Sequence, residues 1–123
     1  MAWEFENNRP IYTQLLDKIQ MMIISGKYKP GDRFTAVREL SVEAGVNPNT
    51  MQRALQELER IGLVSSNRTS GRLVTEDTDL IERIKEQKAS EYTQVYLNNM
   101  RALGIGTEKI LQMVTNEAKK KDT

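Results

Sequence analysis

The chain contains no cysteine, which excludes disulfides and thiolate metal sites alike. It contains no histidine either, so the commonest metal ligand and the commonest general base near neutral pH are both missing. No paired carboxylates, P-loop or glycine-rich phosphate loop occurs, so the expectation is no enzymatic activity, no metal and no cofactor. No apolar run approaches the ~18 residues of a membrane span, and the amino end lacks the basic-then-apolar pattern of a secretory signal. A soluble, cytoplasmic protein is expected. An excess of one charge is missing too: 18 basic and 17 acidic side chains leave a net charge of +1. Bulk charge therefore gives no support to nucleic-acid binding, and the placement of individual charges has to make any such case.

What is present is periodicity. The 123 residues suit one domain with a modest appendage. Trp3 and Phe5 alternate with Glu4 and Glu6 and read as a short strand. Arg9-Pro10 opens a first helix, with Pro10 at its first position. Ile11, Leu15, Leu16, Ile19, Met22 and Ile23 form its apolar face, and Gly26 ends it. Pro30-Gly31-Asp32 is a turn. A second helix over 36–44 turns Val37, Leu40 and Ala44 inward and stops at Gly45. Asn47 is a good N-cap and Pro48 fits the first position of a third helix, which runs to Gly62. The buried stripe of that helix is Met51, Ala54, Leu55, Leu58 and Ile61. Asn49, Thr50, Gln52, Arg53 and Gln56 are left for an outside partner.

Leu63-Val64-Ser65 and Arg72-Leu73-Val74 read as strands around a polar tip at 67–71. The fold is therefore mainly α with a small β-hairpin, a winged helix-turn-helix over residues 1–76. Residues 77–123 form a short two-helix C-terminal dimerisation segment. Its first helix, about 78–103, is polar over 85–91, the pattern of a helix crossing solvent. Gly104 and Gly106 break it, and Thr107 can cap the last helix.

Residues 10–74 resemble the DNA-binding domain of the GntR family of bacterial transcription regulators. The carrying segments are Pro10-Ile11-Tyr12 with Gln14-Leu15, Pro30-Gly31-Asp32-Arg33, Val37-Arg38-Glu39-Leu40, and Gly45-Val46-Asn47-Pro48-Asn49-Thr50 with Arg53-Ala54-Leu55. The tail, with Leu103-Gly104-Ile105 between two helices, is similar to the helical appendage of the YtrA subfamily. The resemblance implies a repressor acting on an operator, in a subfamily whose members commonly accompany ABC-transporter operons. Two departures stand out. Phe34-Thr35-Ala36 replaces the family's Leu-Pro-Ser, so Thr35 is the substitute cap for the second helix. The wing reads Thr69-Ser70-Gly71-Arg72-Leu73-Val74, where the family favours Gly-Arg-Gly-Thr-Phe-Val.

In such a fold the third helix enters the major groove by its amino end, where amides and dipole attract phosphate. Thr50 and the backbone at Asn47 are expected on the phosphodiester chain. Asn49, Gln52 and Arg53 suit base edges, Asn and Gln pairing with adenine and Arg with guanine. Arg38 resembles a family residue that contacts DNA. Arg68, Ser70, Gly71 and Arg72 belong to the wing. Plainer explanations stand beside these: Asn47 as a cap alone, Arg53 paired with Glu57, Arg38 paired with a nearby carboxylate, and Arg68 and Arg72 as solubilising charges. A second class of function, a winged protein-interaction module without DNA binding, draws on the near-neutral charge and the altered wing.

The expected partners are a double-stranded, near-palindromic operator and a second copy of the chain. Tyr92, Val95, Tyr96, Met100, Leu103, Ile110, Leu111 and Val114 are the candidate dimerisation residues. The sequence leaves any small-molecule effector open.

Overall fold

The computed structural model describes residues 3–69 and 71–122. Helices α1 (Ile11–Ile24), α2 (Val37–Ala44) and α3 (Pro48–Arg60) come first. Strands β1 (Val64–Asn67) and β2 (Gly71–Val74) follow, then helices α4 (Thr78–Ala102) and α5 (Thr107–Asp122). The backbone divides into two compact units, Met1–Ile84 and Lys85–Thr123. The division falls inside α4, at the start of the polar stretch and later than the 76/77 boundary expected from composition. Leu80, Ile81 and Ile84 explain the shift, because Ile81 belongs to the core of the first unit and Leu80 and Ile84 pack against it.

That core is built from the stripes that the helical period selects. Leu15, Ile19 and Ile23 of α1, Leu40 and Ala44 of α2, and Met51, Ala54, Leu55 and Leu58 of α3 are buried together with Leu63, Val64 and Val74. Truncating one of the large side chains here, such as Leu58→Ala, costs about 2–5 kcal/mol. Ile11 departs from the expected stripe and is half exposed, while Ile24 is buried in its place.

The expected amino-terminal strand does not form. Residues 3–6 are irregular, and Trp3 N–H makes a single backbone bond to Ala44 O at 3.2 Å, with no neighbouring ladder to complete a strand. Pro10 is the N-cap of α1 and not its first residue, with an extended ψ of 138°. The entry to α1 is fixed by Gln14, only 2% exposed. Its Nε2 donates to Glu6 O and Arg9 O, each at 2.9 Å, and its Oε1 accepts from Glu6 N–H at 2.7 Å. One buried amide thus satisfies three backbone groups of the preceding loop.

Gly45 ends α2 in the left-handed conformation, with φ 74° and ψ 35°. That residue type adopts this region without a Cβ penalty, so the chain can reverse within three residues and begin α3 at Pro48. The hairpin pairs Val64 with Val74 and Asn67 with Gly71 in antiparallel register. A third segment flanks β2. Phe34 N–H donates to Arg72 O and Val74 N–H to Asp32 O, each at 2.8 Å, with an isolated bridge between Arg33 and Leu73. The turn expected at Pro30-Gly31-Asp32 therefore leads directly into wing pairing.

In α4, Asp77 Oδ1 accepts from Leu80 N–H at 3.1 Å and caps the helix. Thr107 is the first residue of α5, and Gly106 O, one position earlier, accepts from Ile110 N–H at 3.0 Å. No helix among the described residues is long and apolar enough to cross a membrane.

Candidate nucleic-acid interface

The amino end of α3 is shaped by its own sequence. Asn47 Oδ1 accepts the Asn49 N–H at 2.7 Å, and Pro48 occupies the first helical position, where a missing N–H is harmless. Because Met51, Ala54, Leu55 and Leu58 face the core, the residues between them face outward on the same period. Asn49, Arg53 and Gln56 are exposed, and Thr50 and Gln52 are half-buried. Asn47 thus caps the helix with its oxygen, and its amide N–H groups are not used in that bond.

Arg53 does not pair with Glu57. That carboxylate is taken by Arg60, whose Nε and Nη2 donate to its two oxygens at 2.8 and 2.6 Å. The Arg60 hydrogen bonds and charge hold the Glu57 carboxyl below the usual carboxylate range, against a smaller opposing effect of burial. The Arg53 guanidinium instead lies over the ring of Tyr12 in α1, 4.3 Å from its centroid.

Arg38 is exposed on α2 and forms no ion pair among the described residues, so no carboxylate accounts for it. Its helix begins without a side-chain cap, since Ala36 has no hydroxyl. Thr35 does not substitute for it: the Thr35 hydroxyl is 2.6 Å from the Tyr28 hydroxyl, and the Tyr28 ring stacks on Phe34. An open cleft of about 680 Å³ lies at this helix start, lined by Arg33, Thr35, Val37 and Glu39 on one side and Ser66, Asn67 and Arg72 of the wing on another. The presence of Glu39 means that the cleft is not uniformly basic.

The wing separates its two arginines. Arg68 is exposed at the tip, beside an Asn67 side chain that accepts from Thr69 N–H at 3.0 Å. Arg72 is only 17% exposed and its Nε donates to Glu59 Oε1 of α3 at 2.5 Å. The same oxygen accepts from Ser66 Oγ at 2.7 Å. Glu59 is held below the usual carboxylate range chiefly by the Ser66 hydrogen bond, with burial opposing and Arg72 adding to it. Arg72, expected to reach a groove, is turned back onto the protein's own helix. Gly71 has φ +74° and turns the chain into β2. Ser70, expected at the wing tip, lies outside the described residues.

The local chemistry is clearer than the net charge suggested. Both carboxylates of α3 are neutralised by arginines within the domain, while Arg38, Arg53 and Arg68 have no acidic partner among the described residues. Sequence patterns did not reveal Tyr12, Gln14 and Glu59 as supports of this surface. Only Tyr12 and Gln14 left a signal, by lying inside the Pro10–Leu15 segment.

The family model for "Bacterial regulatory proteins, gntR family" matches residues 11–74. The chain belongs to the GntR family. It is a DNA-binding transcription regulator of that family rather than an enzyme. Among curated relatives it is 32% identical over 109 residues to the uncharacterized regulator YhcF of Bacillus subtilis, covering 89% of this chain and 90% of that one. It is 38% identical over 87 residues to the transcriptional repressor YtrA of the same organism, covering 66% and 67%. Among solved structures, a GntR family transcriptional regulator from Listeria monocytogenes superposes with a TM-score of 0.85 at 38% identity, over 91% of this chain and 98% of that chain. The likeness spans the helical tail as well as the winged domain.

The tail distributes the expected dimerisation residues unevenly. Tyr92, Val95, Leu103, Leu111 and Val114 are exposed, Leu103 by 75% and Leu111 by 62%, and Met113 joins them. Tyr96 is half-buried. Met100 and Ile110 are 8% and 3% exposed. They flank the 103–106 connection and are already covered within a single chain, which leaves them little area to offer a partner.

Proposed function

We propose that the protein represses transcription as a homodimer that places the amino end of α3 from each copy in the major groove of a near-palindromic operator. The carrying observation is the outward stripe of Asn49, Gln52, Arg53 and Gln56 opposite a fully buried Met51, Ala54, Leu55 and Leu58. These are side chains suited to base edges, on a helix whose acids are internally paired. Thr50 and the Asn47 end of the helix then meet phosphate, with Arg38 and Arg68 beside them. Arg72 supports the wing from inside and does not itself touch the DNA.

Dimerisation draws its support from α5. Every residue from Leu111 to Lys121 is exposed, yet the segment carries Leu111, Met113 and Val114. A helix of 16 residues is marginal in water without packing, so a second copy covering this side stabilises it. The repressor role rests on the likeness to the repressor YtrA, and a protein that meets its operator works in the bacterial cytoplasm. Whether its operators precede transporter operons is read from a genome-wide occupancy map.

The test is capture of duplexes from a genomic fragment pool over a salt series. Specific, steeply salt-sensitive binding is expected. Asn49→Ala and Gln52→Ala should each weaken it by about 1–3 kcal/mol, the value of one bidentate pairing with a base. No capture at about 50 mM salt, where phosphate attraction is strong, would instead mark a winged module that binds protein alone.

A further inference from the structure

The geometry points to Tyr12 as a positioning residue for base recognition: its ring in α1 holds the Arg53 guanidinium at the reading face of α3. This rests on the proposed role of α3 in the major groove. Arg53 is exposed, and its natural helical partner at i+4, Glu57, is held by two hydrogen bonds from Arg60. The ring of Tyr12, 4.3 Å away, is therefore what orders it.

The chemistry of that pairing matters. A carboxylate partner would occupy the N–H donors that an arginine needs to grip guanine O6 and N7. An aromatic face attracts the cation through its quadrupole and leaves those donors without a competing acceptor. Tyr12 is well suited to hold still, because it is packed against the core from the first turns of α1. Ordering a long side chain in advance removes part of the entropy loss on binding. A cation–π interaction at an exposed site corresponds to about a two- to fivefold change in affinity. The contact is made by the ring face of Tyr12, so phenylalanine should serve equally.

The experiment uses the full chain and a duplex that it selects from a randomised pool. Tyr12→Leu and Tyr12→Met, both of which keep apolar bulk, should each weaken binding about two- to fivefold. They should also flatten the base preference at the same position that Arg53→Ala flattens. Tyr12→Phe should match the parent. In the Arg53→Ala background, Tyr12→Leu should have no further effect. Equal losses in both backgrounds, or a weakened affinity with unchanged base preference, would show that Tyr12 acts through folding and overturn the proposal. An unchanged preference in Arg53→Ala would overturn it too, while Asn49→Ala and Gln52→Ala would still report on α3. A parent chain that selects no duplex removes the functional reading itself.

Discussion

Arg72 in the wing and Glu59 near the end of α3 form an ion pair at 2.5 Å, which ties the hairpin to the helix that precedes it. Ser66, on the other strand of the wing, donates to the same carboxylate oxygen, so both strands are fastened at one point. Arg72 is consequently a strut, and the direction of the wing tip depends on Glu59.

Two wing arginines should then behave differently. Arg68→Ala is expected to lower the salt dependence of operator binding by about one ion, as removal of one phosphate-binding cation does. Arg72→Ala should leave that slope unchanged and reduce folding stability by roughly 1–2 kcal/mol. Glu59→Ala should reproduce the Arg72→Ala destabilisation, and the double variant should be little worse than either. Binding isotherms at several salt concentrations, with urea melts alongside, check this.

The same carboxylate sets a pH dependence. The folded protein depresses the Glu59 pKa below its unfolded value, so its contribution is fully present above the usual glutamate range, ~4.3. It is lost as the pH falls below that range, through the lower folded-state pKa at which the carboxyl takes up a proton. Acid melts followed by a wing-tip probe should show earlier loosening than the helical signal. Glu59→Gln should remove that early step; its persistence in the variant would assign it to another group.

Gln14 should prove a structural residue of the winged domain. Replacing it by leucine keeps the bulk but strands the Glu6 N–H and two carbonyls, which costs about 1–3 kcal/mol per buried group left unpaired. Thermal melting should fall accordingly, with faster amide exchange at Glu6. Unchanged stability would mean that water takes over all three bonds.

Charges on the exposed side of α5 should separate the copies. Leu111→Asp with Val114→Asp is expected to yield a monomer by sedimentation, with operator affinity reduced far more than half-site affinity. A cut after Ala89 should give a folded winged monomer. A cut after Asp79 should not, because it removes Ile81 from the core together with Leu80 and Ile84, which pack against it. A dimer that survives the double aspartate variant would move the interface elsewhere.

Much of the fold was legible because burial follows period. Leu15, Ile19 and Ile23, and likewise Met51, Leu55 and Leu58, repeat at three and four residues and are buried where that spacing puts them. Gly45, Asn47 and Pro48 mark a helix end and a helix start by backbone chemistry that acts within a few residues. The amino-terminal alternation misled for a related reason: Trp3 to Glu6 has the pattern of a strand but lacks a neighbouring strand to pair with.

What local pattern could not reach was the choice among partners for a charge. Glu57 sits at helical spacing from both Arg53 and Arg60, and only packing decided that Arg60 takes it while α1 offers Arg53 an aromatic ring. Arg72 and Glu59 are thirteen positions apart, brought together by the return of the hairpin. The amino acids themselves determined which helices form and which faces they bury, since those preferences are settled over one or two turns. Which arginines are left without an acidic partner was decided by tertiary structure, because pairing energies depend on distances that only the folded chain sets.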